Sequence, residues 1–335
     1  MSAQIKDVAK LAQVSSATVS RVLANKPYIK EETRQRVFLA VKELGYRPSR
    51  TARSLRVRKS QIIGLIISDI QNPFFTSLVR AVEDTASNNQ YAVFLCNSDE
   101  NPQKESLYTD LMISEHVAGV IITPTSEFGG SIHRLVEAGI PVVSVDRRVL
   151  DLEVDTVVLD NISASSDLVT YLLKLGHRRI GSILGSSEIT TGRERLSGYE
   201  IALKSFGIPI DPDLICTGLP KEKLGYQFTT KLLELKNPPT ALFLGNNLLT
   251  IGALKAIRDH KLVIPKDISI VAFDDLEWTT LLNPQLTVAS QPTYKLGESA
   301  TNLIIARILN PSKPFETIVY QSEIKTRESC NPLSI

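Results

Sequence analysis

The sequence predicts an N-terminal all-α helix-turn-helix headpiece followed by an α/β body of two lobes with parallel sheets. Three observations carry this. Residues 5–24 read as two short helices broken by a turn. After Ser60, apolar strand-like runs alternate with helical stretches, in two successive series of similar plan. The charge is split: residues 1–60 hold fourteen Lys or Arg against four acids, a net of +10, while the remainder carries −8 to give the chain its +2. A basic head on an acidic body is the footprint of a protein in which only the head meets phosphate.

In order along the chain, the first helix sets Ile5, Val8, Ala9, Leu11 and Ala12 at helical spacing as one apolar face. Gln13-Val14-Ser15 interrupts the pattern, and Ser15 is suited to cap the next helix. That helix buries Val19, Val22 and Leu23, leaving Ser16, Ala17, Ser20 and Arg21 on its outer face. Small polar residues and one Arg on a short helix can lie in a DNA major groove. Two helices of any small domain share this periodicity, so the pattern by itself leaves a purely structural pair open. A third helix is predicted over about 31–44, with Val37, Ala40, Val41 and Leu44 inward and Gly45 as its left-handed cap. Lys30 is a poor cap residue, but Glu31 and Glu32 favour the helix start through the dipole.

The segment YRPSRTARSLRVRKS (46–60) crowds Arg47, Arg50, Arg53, Arg56 and Arg58 into a stretch too short and self-repelling to hold a helix alone. From its residues it is a flexible basic linker, with a helix start signal at Pro48-Ser49.

In the body, runs at 62–67, 92–96, 117–122 and 142–145 read as buried parallel strands, separated by helices near 75–87, 102–114 and 131–138. The second series has strands near 180–184, 241–244 and 269–273, and helices near 163–175, 193–206, 224–235 and 248–259. In open parallel sheets, ligands bind at the carboxyl ends of the strands. Those ends carry Asp69, Asn72, Phe74, Phe75, Thr123, Asp146, Arg147, Asn246, Asn247, Asp274 and Asp275, with Gln291 before a last helix at about 294–309. Carboxylates, amides and a guanidinium satisfy vicinal hydroxyls, and phenyl faces pack on the C–H face of a sugar ring. Together they describe a pocket for a small neutral polyol. Taken singly, each Asp or Asn could be a helix cap and each Phe ordinary core.

Composition narrows the alternatives. No apolar run is long enough to span a membrane, and MSAQIKDVAK lacks the apolar core of a signal peptide, which implies a cytoplasmic protein. Cys96, Cys216 and Cys330 have neither metal-ligand spacing nor the look of a disulfide framework. No phosphate-cradling loop, nucleophile–base pair or metal cluster appears, so no catalytic residue, metal or cofactor is assigned. His177, in LGHRR, reads as structural.

IKDVAKLAQVSSATVSRVLANKP strongly resembles the headpiece of LacI-type bacterial repressors. The body resembles ribose-binding proteins and the ribose-type repressors of that family, through QNPFF, VDRR, GRERLSGY, LGNN, AFDD and ASQP. The resemblance implies a homodimeric regulator acting as a repressor, with a headpiece at 1–46 and a hinge at 47–60. It also implies a type I periplasmic-binding-protein-like body at 61–335, with lobe 1 at about 61–160 plus 290–325 and lobe 2 at about 161–289. Double-stranded DNA with a pseudo-palindromic operator and a small sugar effector, most simply a pentose such as ribose, would be its partners, with no membrane. By resemblance the hinge folds as a helix on DNA, Arg50 and Arg53 meet phosphate, and Leu55 wedges into the minor groove. Phe74 and Phe75 would stack on the sugar, and Asp146, Arg147, Arg195, Asn246, Asp274 and Gln291 would bond its hydroxyls and ring oxygen. Two departures matter: Asn246-Asn247 replaces the usual Asn-Asp, and Pro220 falls near a position where ribose binders place an aromatic. The resemblance also admits a phosphocarrier protein or a purine as corepressor in place of a sugar. A sugar-metabolising enzyme or an exported sugar carrier fits the chain less well.

Overall fold

The computed structural model describes residues 3–23, 27–46 and 60–333, in two units, Met1–Ser60 and Gln61–Ile335. In the first unit, α1 (Ile5–Leu11), α2 (Ser16–Leu23) and α3 (Glu31–Glu43) bury Val8, Ala9, Ala12, Val19, Val22, Val37 and Ala40 against one another. Gln13 takes the turn between α1 and α2 with φ +53°. Ser15 caps α2, its Oγ accepting the Thr18 N–H at 3.1 Å. Lys30 makes no side-chain cap on α3, and Gly45 ends that helix at φ +58°. Leu11 departs from expectation: it is exposed, because Ile5, Val8, Ala9 and Ala12 already complete the inward stripe and residue 11 falls beside it. The hinge at 47–59, with Arg50, Arg53 and Leu55, lies outside the described residues.

The second unit holds two six-stranded sheets. Its first series runs β1 (Ile62–Ile67), α4 (Pro73–Asn88), β2 (Ala92–Asn97), α5 (Pro102–Ser114), β3 (Gly119–Ile122), α6 (Gly130–Glu137), β4 (Val142–Val145) and β5 (Asp155–Leu159). The second runs α7 (Asn161–Lys174), β6 (Ile180–Gly185), α8 (Thr190–Ser205), β7 (Ile215–Gly218), α9 (Glu222–Leu233), β8 (Ala241–Leu244), α10 (Asn247–Asp259), β9 (Ser269–Phe273), α11 (Glu277–Leu281) and β10 (Thr287–Ser290). The chain closes with α12 (Thr293–Leu309), β11 (Thr317–Tyr320) and β12 (Glu323–Lys325).

Strand order is β11-β5-β4-β3-β1-β2 in one sheet and β12-β10-β9-β8-β6-β7 in the other. All pairings are parallel except β12 with β10. Each sheet is buried on both faces, which is why its central strands are continuous apolar runs such as IIGLII and SIVAF.

The chain passes between lobes after β5, after β10 and after β11. Strand β11 pairs with β5, and α12 buries Leu296, Ala300 and Ile304 in the first lobe's core. The final crossing corrects the expected extent of lobe 1 to 325: Glu323–Lys325 pairs with β10 in the second sheet. Beyond it, Leu333 N–H donates to Leu175 C=O at 2.8 Å. His177 reaches the same tail, its Nε2 lying 3.1 Å from the Asn331 carbonyl oxygen and its Nδ1 2.9 Å from Thr240 Oγ1. A three-residue antiparallel edge strand has no periodicity to betray it. Strands β5 (DTVVL), β7 (ICTG) and β10 (TVAS) are also absent from the sequence prediction; each mixes Thr with Asp, Gly or Ser in a short run, so none reads as an apolar segment.

Candidate effector cleft and nucleic-acid face

The carboxyl ends of both sheets open on one cleft. Two strand ends aim carboxylates into it. Asp146 follows β4 and Asp274 follows β9, and both hold left-handed backbone, φ +70° and +75°. That conformation is uncommon for a residue with a Cβ, and it clusters at functional sites. Burial pushes the Asp146 carboxyl up to about 6, against the pull of Arg147 and Arg195 and with the help of the Asp274 and Glu100 charges. Burial also raises Asp274, opposed by Arg195 and by the Gln291 hydrogen bond.

Amides surround Asp274. Gln291 Nε2 donates to its Oδ1 at 2.5 Å and Asn247 Nδ2 to its Oδ2 at 2.9 Å. Asn247 therefore takes a role inside the cleft wall, and it also lies 3.2 Å from Asn72 Oδ1 of the first lobe. Asn72 and Asn246 both act as helix caps: Asn72 Oδ1 accepts Phe74 N–H at 3.1 Å and Asn246 Oδ1 accepts Leu249 N–H at 2.8 Å. Each thus does the ordinary structural work of an N-cap with its oxygen, which leaves the amide NH₂ outside the cap.

The two phenylalanines come from the first turn of α4, where Pro73 occupies the opening helical position. Their rings meet edge to face, centroids 5.0 Å apart at 89°. Ile189, Leu248 and Pro220 are the apolar lining contributed by the second lobe. Gly192, at the start of α8, lets the backbone close in: a Cβ there would lie 2.1 Å from the Ser186 carbonyl oxygen.

Arg195, from α8, is buried with its guanidinium 3.9 Å above the Phe273 ring centroid. Its Nε donates to Asn161 Oδ1 at 2.9 Å and its Nη1 to the Gly245 carbonyl. Burial lowers its pKa against the raising charges of Asp274 and Asp146.

Of the ten predicted effector residues, the cleft collects nine: Asn72, Phe74, Phe75, Asp146, Arg147, Arg195, Asn246, Asp274 and Gln291. Thr123 is not among its lining residues; it is buried at the end of β3, its N–H donating to Ile66 C=O at 2.9 Å. Glu100 is a lining residue that the sequence reading missed. It follows β2, so the strand-end rule applied to NSDENP would have found it.

Lys221 was also missed, because it sits in a connection with no motif. Its Nζ spans the lobes, 2.6 Å from Asp69 Oδ2 and 2.7 Å from Asp99 Oδ1. Burial alone would lower the Lys221 pKa, but these two carboxylates raise it. Further ion pairs cross between the lobes where Arg193 meets Glu127 and Arg148 Nε lies 3.4 Å from Glu194 Oε1.

In the headpiece, Val19 and Val22 anchor α2, while Ala17 and Arg21 are exposed and Ser16 and Ser20 half-buried on its other side. This is the outward face that sequence periodicity assigned.

The family described as bacterial regulatory proteins of the lacI family matches residues 4–49, and the family described as periplasmic binding proteins and sugar binding domain of LacI family matches residues 60–330. The chain is 37% identical over 308 residues to a probable HTH-type transcriptional regulator, EndR, of Paenibacillus polymyxa, covering 91% of this chain and 90% of that one. It is 36% identical over 304 residues to the HTH-type transcriptional repressor CytR of Escherichia coli strain K12, covering 90% and 89%. Among solved structures, a complex of the transcriptional regulator CelR with cellobiose superposes with a TM-score of 0.75 at 28% identity, covering 98% of this chain and 99% of that one.

Proposed function

The chain belongs to the lacI family of DNA-binding transcription regulators, and from that premise we propose that it is a cytoplasmic homodimeric repressor whose hold on operator DNA is set by a small neutral sugar, most simply a pentose such as ribose. The observation that carries the effector reading is the convergence of nine strand-end and crossing residues on one cleft: two phenyl rings, five amide or guanidinium donors and two carboxylates held by left-handed backbone. A neutral polyol needs both acceptors and donors on one side and an apolar face on the other. Because the cleft is formed by both lobes, a ligand there makes contacts that differ between lobe arrangements, which is the requirement for coupling to a second site.

The DNA reading rests on α2, whose exposed Ala17 and Arg21 and half-buried Ser16 and Ser20 would meet the major groove, with Arg50, Arg53 and Leu55 supplying hinge contacts. Pseudo-palindromy of the operator follows from a two-fold dimer. Selecting bound duplexes from a random pool, then titrating the selected operator with and without neutral pentoses and hexoses, tests both halves. A recovered inverted repeat whose occupancy changes with one such sugar supports the reading. Operator occupancy that ignores every neutral sugar but responds to a purine or a phosphocarrier protein replaces it.

A further inference from the structure

The side chain of Arg147 is accounted for almost completely by the protein itself. Guanidinium has five N–H groups. Nη1 donates to Glu100 Oε2 and to the Pro124 carbonyl, both at 2.8 Å. Nη2 donates to Glu100 Oε1 at 2.6 Å and lies 3.4 Å from Ser68 Oγ. Only Nε is left without a hydrogen-bond partner among the described residues, buried 3.6 Å from Asp146 Oδ2. Glu100 is as buried as its partner, side chains 3% and 6% exposed, and takes left-handed backbone at φ +57° to reach it.

This arrangement has a consequence for selectivity. A guanidinium recognises phosphate or carboxylate through two parallel N–H groups. Here the end-on pair of N–H groups is already occupied by Glu100 and Nη2 is also turned to Ser68, so Nε–H is the one unpartnered N–H of Arg147 among the described residues, buried in the cleft wall. The other charges point the same way. Lys221 is held by Asp69 and Asp99, which leaves Arg195 against Asp146 and Asp274 around the cleft. An anionic ligand would meet uncompensated carboxylates.

We infer that Glu100 is a specificity-determining residue: by occupying the forked edge of Arg147 it makes the cleft reject phosphorylated and carboxylated sugars and accept neutral ones through a single Nε–H. Glu100 does this as a positioning residue, acting through Arg147. The inference rests on the effector reading above and adds the residue that enforces it. Burial raises the Glu100 carboxyl, but the charge and paired hydrogen bonds of Arg147 outweigh it and hold the group ionised.

The test compares D-ribose and D-glucose with ribose 5-phosphate and glucose 6-phosphate by calorimetry, on wild type, Glu100→Gln, and the double variant Glu100→Gln/Arg147→Gln, with thermal melting to confirm folding. Wild type should bind its neutral sugar and reject the corresponding phosphate. Glu100→Gln should weaken the neutral sugar about 10-fold or more and bring phosphate-ester binding into range, since hydrogen bonds to charged groups carry effects of that size. The double variant should lose the phosphate binding again. Wild type that binds the ester as well as the neutral sugar overturns the inference, as does a folded Glu100→Gln that keeps the wild-type preference.

If Glu100→Gln does not fold, Glu100→Asp keeps the charge but cannot span both Nη groups; it should still reject esters yet bind the neutral sugar more weakly. Unchanged neutral affinity in Glu100→Asp overturns the inference. Ester binding that appears in Glu100→Gln, when wild type binds no neutral sugar, supports the role of Glu100 and discards the neutral-sugar effector. Absence of binding in every variant discards both.

Discussion

Asp146 and Asp274 occupy matching corners of the two lobes. Each ends a strand in left-handed backbone, and each donates its N–H to the neighbouring strand, Asp146 to the Val157 carbonyl at 2.9 Å and Asp274 to the Ala289 carbonyl at 3.0 Å. The internal repeat thus delivers one acidic group from each lobe to the same cleft.

Asp274→Ala should abolish sugar binding and leave the headpiece and its ligand-free DNA affinity intact. A buried carboxylate accepting hydroxyl protons contributes roughly 1.5–3 kcal/mol per charge-assisted bond. The variant also frees Gln291 and Asn247, so folding is checked by thermal melting. A folded Asp274→Ala that still lets sugar alter operator occupancy removes Asp274 from the effector site.

The raised Asp146 gives a pH signature. Its native-state value of about 6 lies above the ordinary carboxyl value of 3.8, so the native state holds this proton more tightly than the unfolded chain does. The stability from that proton is fully present below the ordinary value and is lost as pH rises through about 6. A sugar hydroxyl donating to Asp146 needs the ionised form, so affinity should rise between about pH 5 and pH 7, with proton release on binding in that window. Calorimetry in buffers of different ionisation enthalpy reads the release directly. Affinity independent of pH in wild type, or the same slope in Asp146→Asn, contradicts this role.

The strand-end rule located the cleft because parallel sheets put loop residues at the carboxyl edge whatever the loop sequence. It led to Asp146 and Asp274, which line the cleft, for that reason, and missed Glu100 only because the end of β2 was passed over. What the residues alone could not show was engagement. Asn72 and Asn246 look like ligands or like caps from sequence, and in the structure both carry the cap. Lys221 lay beyond reach because its meaning depends on Asp69 and Asp99 of the opposite lobe, more than a hundred residues away in the chain. The return of Glu323–Lys325 to the second sheet was illegible for a related cause: an edge strand is defined by its partner, here β10.

Lys221→Met tests the cross-lobe contact. The ammonium makes no direct claim on the ligand, but it favours the arrangement in which the lobes meet. Losing it should weaken the apparent sugar affinity by roughly 2–10-fold, the effect of shifting a two-state population when an ion pair of this exposure is removed. The salt dependence of sugar binding should flatten at the same time. Unchanged affinity and salt dependence would reduce Lys221 to a surface charge.

Arg21→Ala should weaken operator binding by about 1–3 kcal/mol while affecting random DNA much less, if the side chain reads a base edge. Equal losses on operator and random duplexes would reassign Arg21 to phosphate contact. Binding to either duplex should fall steeply with salt, because Lys and Arg displace counterions.

The central relationship is control of DNA binding by a neutral sugar in the cleft. Calorimetric titration of the full chain with a panel of neutral pentoses and hexoses, repeated in the presence of operator DNA, addresses it most directly. One sugar should bind with one site per protomer, its affinity should differ with operator present, and Asp274→Ala should remove the heat. No heat from any neutral sugar, alongside binding of a purine or a protein corepressor, would contradict it.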